Sequence, residues 1–215
     1  MLARLPRSTT AFLAFFALAV AFGATPARAD KAAEEFTNGL LQRTTATLRD
    51  LKAGEAARST RLHQLVMQNL DARKTALFAL GNYQRGLDRR TTDAYVAAFS
   101  DYITAVYEAR LKKFRDLDIK VVNSIDNAPG DTTVITQGKP TDDHRDKDSI
   151  IIGLRLNGGG GRYKIVDVQI AGIWVSINQR EEFAKLLSEN HADLHALTAY
   201  LNDQTAQIKA GAKPA

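Results

Sequence analysis

Apolar residues in this chain recur every three or four positions as far as Asp118 and every second position after it. That change of period sets what the chain can become, because a side-chain repeat of 3.6 suits a helix and a repeat of 2 suits a strand. Four strands are expected downstream, at about 119–125, 132–138, 148–156 and 162–175, separated by "DNAPGD", "KPTDDHRD" and "NGGGG". Each separator carries turn chemistry, and gaps this short join neighbours as hairpins, so the strands form an antiparallel meander. Ile150, Ile152, Leu154 and Leu156 share one face of the third strand. Val166, Val168 and Ile170 share a face of the fourth, against Asp167 and Gln169. The sheet therefore has one apolar side.

Upstream, helices are expected over 31–53, 59–70 and 74–86, the last broken at Gly81 and Gly86. The strongest periodic stretch is about 92–115, where Thr91 and Thr92 offer an N-cap. Its stripe of Tyr95, Phe99, Tyr102, Ile103, Val106, Tyr107, Leu111 and Phe114 is unusually wide and aromatic. Such stripes ordinarily face a core; the extra width points to a cavity for part of this one. Two more helices close the chain, from near Asn178 and from about Asp193. Helices, then a sheet, then helices describe an α+β fold, a curled four-stranded antiparallel sheet with helices on its apolar face.

Arg4 and Arg7, the apolar run from Ala11 to Ala24, and Ala27-Arg28-Ala29 read as a cleavable export signal over residues 1–29. The run is shorter than the roughly 20 residues of a spanning helix. No cysteine is present, which excludes disulfides and a lipid-anchored cysteine. A soluble exported protein in a bacterial periplasm is expected. Residues 30–209 then form one domain, mainly helical over 30–118, a meander over 119–175 and helical again over 176–209, with a disordered tail at 210–215. Without the three arginines of the leader the formal charge falls from +5 to +2, too little for the basic patch of a nucleic-acid binder.

Catalytic and metal motifs fail on spacing. The glycines at 158–161 cannot make a phosphate loop, because both G-x-x-x-x-G-K and G-x-G-x-x-G require glycine where Tyr163 stands. His191 and His195 lack the intervening glutamate of H-E-x-x-H, since Ala192 occupies its place. Asp142, Asp143, Asp146 and Asp148 lack the glycine and closing glutamate of a calcium loop. Neither G-x-S-x-G nor S-x-x-K occurs.

Three stretches carry a family resemblance: "FALGNYQRG", the helix "TTDAYVAAFSDYITAVYEARLKKF", and "RYKIVDVQIAGIWVSINQREEFAKLL". Together they resemble the MlaC family of periplasmic phospholipid carriers. The most specific matches are Tyr163, Lys164, Ile165, Asp167, Val168, Gly172, Ile173, Val175, Asn178, Gln179, Arg180 and Phe183. Tyr163 replaces a frequent tryptophan, and "NLDARKTALFALG" departs from the usual pattern before the third helix.

The resemblance implies a monomeric carrier without metal or cofactor, rather than an enzyme. It would take phospholipid between an outer-membrane MlaA-type lipoprotein–porin complex and an inner-membrane MlaD-type ABC transporter, maintaining outer-membrane lipid asymmetry. Acyl chains would lie between sheet and helices, with the headgroup in solvent. Candidates for the wall from the helices are Phe78, Tyr83, Tyr95, Phe99, Ile103, Val106 and Tyr107. From the strands they are Val134, Ile150, Ile152, Leu154, Val166, Val168, Ile170 and Ile173. At the strand–helix junction Asn178 is expected to cap the next helix, and Arg180 to pair with Asp167 or a carbonyl, or to touch the headgroup phosphate. Other readings are an NTF2-like isomerase or dehydratase using Asp167 and Tyr107, a carrier of a hopanoid, and a ligand-free scaffold.

Overall fold

The computed structural model describes residues 30–141 and 149–212 of the 215-residue chain. The leader at 1–29, the acidic run from Asp142 to Asp148 and the end of the tail at 213–215 lie outside them. Four helices come first: α1 (Lys31–Arg49), α2 (Glu55–Asn69), α3 (Ala72–Leu80) and α4 (Arg89–Leu111). A meander follows, made of β1 (Leu117–Ala128), β2 (Asp131–Pro140), β3 (Ile150–Gly159), β4 (Arg162–Ile170) and the short β5 (Ile173–Trp174). Its strands lie side by side in chain order, each pair antiparallel. Helices α5 (Val175–Glu189) and α6 (Leu194–Lys209) end the chain. The fold is α+β, with five strands in place of the expected four.

Aspartates open four of the six helices. Asp30, Asp71, Asp88 and Asp193 accept hydrogen bonds from the backbone amides of Ala33, Lys74, Thr91 and His195, meeting donors that a helix start leaves unpaired. The cap of α4 is therefore Asp88, not Thr91 or Thr92; the Thr91 amide is what the carboxylate receives, at 3.0 Å.

The expected fourth strand is interrupted twice. Opposite Arg155 and Leu156, β4 carries a bulge: Leu156 faces Ile165 and Arg155 faces Asp167, which leaves Val166 as the extra residue. Farther on, Ala171 and Gly172 both adopt positive φ, 49° and 86°. That is the backbone of a two-residue hairpin turn, and it sends the chain back as β5. Helix α5 consequently starts at Val175 with Trp174 at its cap position, and Asn178 lies within the helix instead of capping it. The glycine run closes the β3–β4 hairpin, where a Cβ on Gly158 would lie 2.0 Å from the carbonyl oxygen of Arg162.

Two apolar clusters result. The larger is helical, with Tyr95, Phe99, Ile103 and Val106 of α4 packed among Phe183, Leu187, Leu197 and Leu201 of α5 and α6. The smaller lies on the sheet, with Val134, Ile152, Leu154, Leu156 and Tyr163 meeting Ala33 at the start of α1. Ile165, partly buried, packs against both.

Candidate ligand cavity

An apolar cavity opens where α1 and α2 stand off the sheet. Helix α1 contributes Leu40, Leu41 and Leu48, α2 contributes Leu65 and Val66, and the end of α4 contributes Tyr107 and Leu111. The floor is Ile119, Ile152, Leu154, Ile165, Val168 and Ile170, drawn from β1, β3 and β4. Atom-free space amounts to about 1010 Å³ with the mouth counted, and the centre of a water molecule has about 140 Å³ of it to move through.

Two polar side chains in the wall, Asn69 and Thr136, turn inward to the protein. The Asn69 amide donates to the carbonyl of Leu65 at 2.7 Å, and the Thr136 hydroxyl to that of Ile152 at 3.0 Å. A satisfied polar group presents its carbon atoms to the cavity and asks nothing of a ligand. Burial, with a smaller push from the charge of Asp167, holds the Tyr107 phenol above its ordinary range, so it stays neutral. Arg110, in the last turn of α4, is the single charged side chain among the described residues of this wall.

Of the residues expected in the wall, the structure brings Tyr107, Ile152, Leu154, Val168 and Ile170 together there. The aromatic stripe of α4 otherwise goes elsewhere. Tyr95, Phe99, Ile103 and Val106 are fully buried in the helical core, where the rings of Phe99 and Phe183 meet edge to face at 6.2 Å. The stripe is wide because α2, α3 and α6 all cover α4, and only the last turns of the helix reach the cavity.

Tyr83 packs at the edge of the helical core, and Val134 is sealed in the sheet cluster with Ile150 beside it. Phe78 and Ile173 are exposed, at 46% and 57%. The bulge explains Val166: it shifts the alternation of β4 by one, so that Ile165 joins Val168 and Ile170 on the floor. Leu40, Leu41, Leu48, Leu65 and Val66 lie at helical spacing as apolar faces of α1 and α2, but periodicity alone gives no sign that those faces border empty space.

The chain matches the profile of the MlaC protein family over residues 34–203, most of its length. The chain belongs to the MlaC family. No curated protein matches it in sequence. Among solved structures, a phospholipid-binding protein from Ralstonia solanacearum, determined in complex with a phospholipid, has the same fold with a TM-score of 0.67 at 19% identity. The alignment covers 82% of this chain and 98% of that one.

Of the residues that match the MlaC pattern most specifically, Ile165 and Val168 line the cavity, whereas Asp167 and Arg180 serve structure. Asp167, on the face of β4 opposite the cavity floor, is buried and receives hydrogen bonds from the Ser176 hydroxyl, the Ser176 amide at 3.2 Å and the Val168 amide at 2.8 Å. Its carboxylate is therefore committed to tying β4 to α5. Arg180 does not pair with it. Its guanidinium lies 5.7 Å from the centre of the Phe78 ring, a cation–π contact, and against Gly81, where a Cβ would come within 2.8 Å of Nε. Gly81 has φ +56° and admits this approach because it carries no side chain. Neither Arg180 nor Asn178 lines the cavity.

Proposed function

We propose that this MlaC-family chain is a lipid carrier that shelters the acyl chains of a glycerophospholipid in the cavity between α1, α2 and the sheet. The observation that carries the reading is the almost wholly apolar lining of this cavity, in which Asn69 and Thr136 turn their polar groups to the backbone. One acyl chain carries about 14 methylenes. Its burial contributes about 11 kcal/mol at roughly 0.8 kcal/mol per methylene, before entropy and reorganisation are deducted. Apolar area alone suffices at that scale, and no catalytic group is needed. The phospholipid complex of the Ralstonia solanacearum protein, which shares the fold, supports the same class of ligand.

The leader at 1–29 exports the chain to the periplasm, where it acts as a monomer. There it exchanges phospholipid between an MlaA-type lipoprotein–porin complex and an MlaD-type ABC transporter, keeping the outer membrane asymmetric. It works without metal or cofactor and does not act as an enzyme.

Ile152→Arg and Val168→Arg each place a charge in the floor. Both variants, purified without their leader and folded by circular dichroism, are expected to lose co-purifying lipid in organic extracts, while Phe78→Arg, outside the cavity, retains it. Folded floor variants that carry as much lipid as the parent would remove this face from the binding site.

A further inference from the structure

Helix α2 is a wall of the cavity, and its fastenings differ from side to side. At its C-terminal end it is joined to β4: the Asp71 amide donates to the carbonyl of Ile165 at 2.8 Å, and the Lys164 ammonium to that of Gln68. Its first turns are joined to the end of α1 by an ion pair of Arg61 with Asp50 at 2.8 Å. Towards α4 the contacts form one polar row. Glu55, Ser59, His63 and Met67, each about one helical turn from the next, meet Lys112, Glu108 and Thr104 in the opposite order along α4 and its C-terminal end. Glu108 serves two of them: Oε2 accepts from the Ser59 hydroxyl at 3.0 Å, and Oε1 lies 3.1 Å from Nδ1 of His63. Lys112 reaches Glu55 at 2.8 Å, and the Thr104 hydroxyl lies 3.3 Å from the sulfur of Met67.

This row is cheap to part. The side chains of Lys112 and Glu55 are 55% and 72% exposed, and ion pairs so placed hold little. Leu62 and Asn69 are the buried residues of the fifteen in α2, against eight of 23 in α4. A helix with so little buried lies at the low end of local stability. Gly54, at its cap position, supplies no side chain to pair the first amides. On the far side of the cavity floor, β4 is held to the helical body differently. There buried Asp167 receives the Ser176 hydroxyl and amide, and the buried Thr75 side chain donates to the Val166 carbonyl at 3.0 Å. Parting those bonds would strand buried polar groups, whereas parting the exposed row returns its groups to water.

The row also borders the chamber. Leu65 and Val66 stand between His63 and Met67 on α2, and Tyr107 and Leu111 stand on either side of Glu108 on α4; all four line the cavity. We propose that the α2–α4 seam is a gate, latched by Glu108, through which a lipid tail enters the cavity from the side. This rests on the carrier reading. The latch opens by exchanging the partners of Glu108 for water, while α2 stays attached to α1 and to β4 at its two ends. The apolar side chains that the gap exposes are those an entering chain covers again.

The chain has no cysteine, so introduced pairs can be joined by a short, reducible bis-methanethiosulfonate linker. Ser59→Cys with Glu108→Cys spans the seam; Asp50→Cys with Arg61→Cys joins α1 to α2 on one side of it. The measurement is the rate at which leader-free protein, stripped of lipid, takes up parinaric acid, whose fluorescence rises in an apolar site. Linking across the seam is expected to slow uptake by roughly tenfold or more, because the tied helix can part only by local unfolding, and reduction restores the rate. The α1–α2 link leaves the rate unchanged. Unlinked Glu108→Ala, folded by circular dichroism, takes up the acid faster than the parent by roughly twofold or more, on the scale of exposed charged contacts. An unslowed rate with the seam linked, or equal slowing by both links, overturns the gate, and uptake no faster in Glu108→Ala overturns the latch. A parent protein whose fluorescence never rises overturns the carrier reading itself, an outcome distinct from uptake that ignores the links.

Discussion

Asp167 is a buried carboxyl whose environment opposes its charge. Burial pushes its carboxyl above the usual range, against the opposing pull of Ser176, Val168 and, at longer reach, Arg155. A carboxyl raised on folding binds its proton more tightly in the folded chain, so its contribution to stability is full below the ordinary value near 3.8 and is lost as pH rises through the raised value. Asp167→Asn imitates the protonated form, and its amide can still accept from both backbone amides and donate to the Ser176 hydroxyl. The urea midpoint of the parent relative to Asp167→Asn is therefore expected to improve as pH falls from 7 towards 4. A difference that is flat or moves the other way would show that the carboxyl is not destabilised by its burial.

At the scale of elements, the change of period at Asp118 was legible because both periodicities run for many turns and rungs. The breaks within elements were not. The bulge at Val166 arises where the carbonyls on its two sides are taken by the start of α3: the Asp71 amide donates to Ile165 at 2.8 Å and the Thr75 hydroxyl to Val166 at 3.0 Å. Those partners are some ninety residues away in sequence, and alternation along one strand carries no trace of them. The same holds for α4, whose breadth records three covering helices more than the cavity that its last turns reach. Caps are more local. Asp30 accepts from the Ala33 amide at 3.1 Å and from the Tyr163 hydroxyl at 2.8 Å, joining the start of α1 to β4. Asp30→Ala is expected to lower stability by roughly 2 kcal/mol in urea unfolding of the leader-free protein, combining a lost cap with an unpaired hydroxyl. A loss below about 0.5 kcal/mol would mean that the bridge contributes little.

Across the whole molecule, the helical and sheet clusters divide the labour. The helical core around Phe99 and Phe183 is filled, in the close-packed way of protein interiors. Between α1, α2 and the sheet it is not, and side chains that border a void forgo contacts that packing would supply. An apolar ligand restores them. The identities of Leu40, Leu65 and Ile165 were plain in the sequence as apolar positions, but whether such residues meet each other or a space is decided by how far two elements stand apart, which no pattern within either one records.

The central claim is that a phospholipid occupies this space, and native mass spectrometry of the protein purified from the periplasm tests it most directly. The account predicts a population heavier than the polypeptide by the mass of a phospholipid, released on collisional activation and identified as such in organic extracts. A homogeneous apo protein that stays so after incubation with phospholipid vesicles would contradict it.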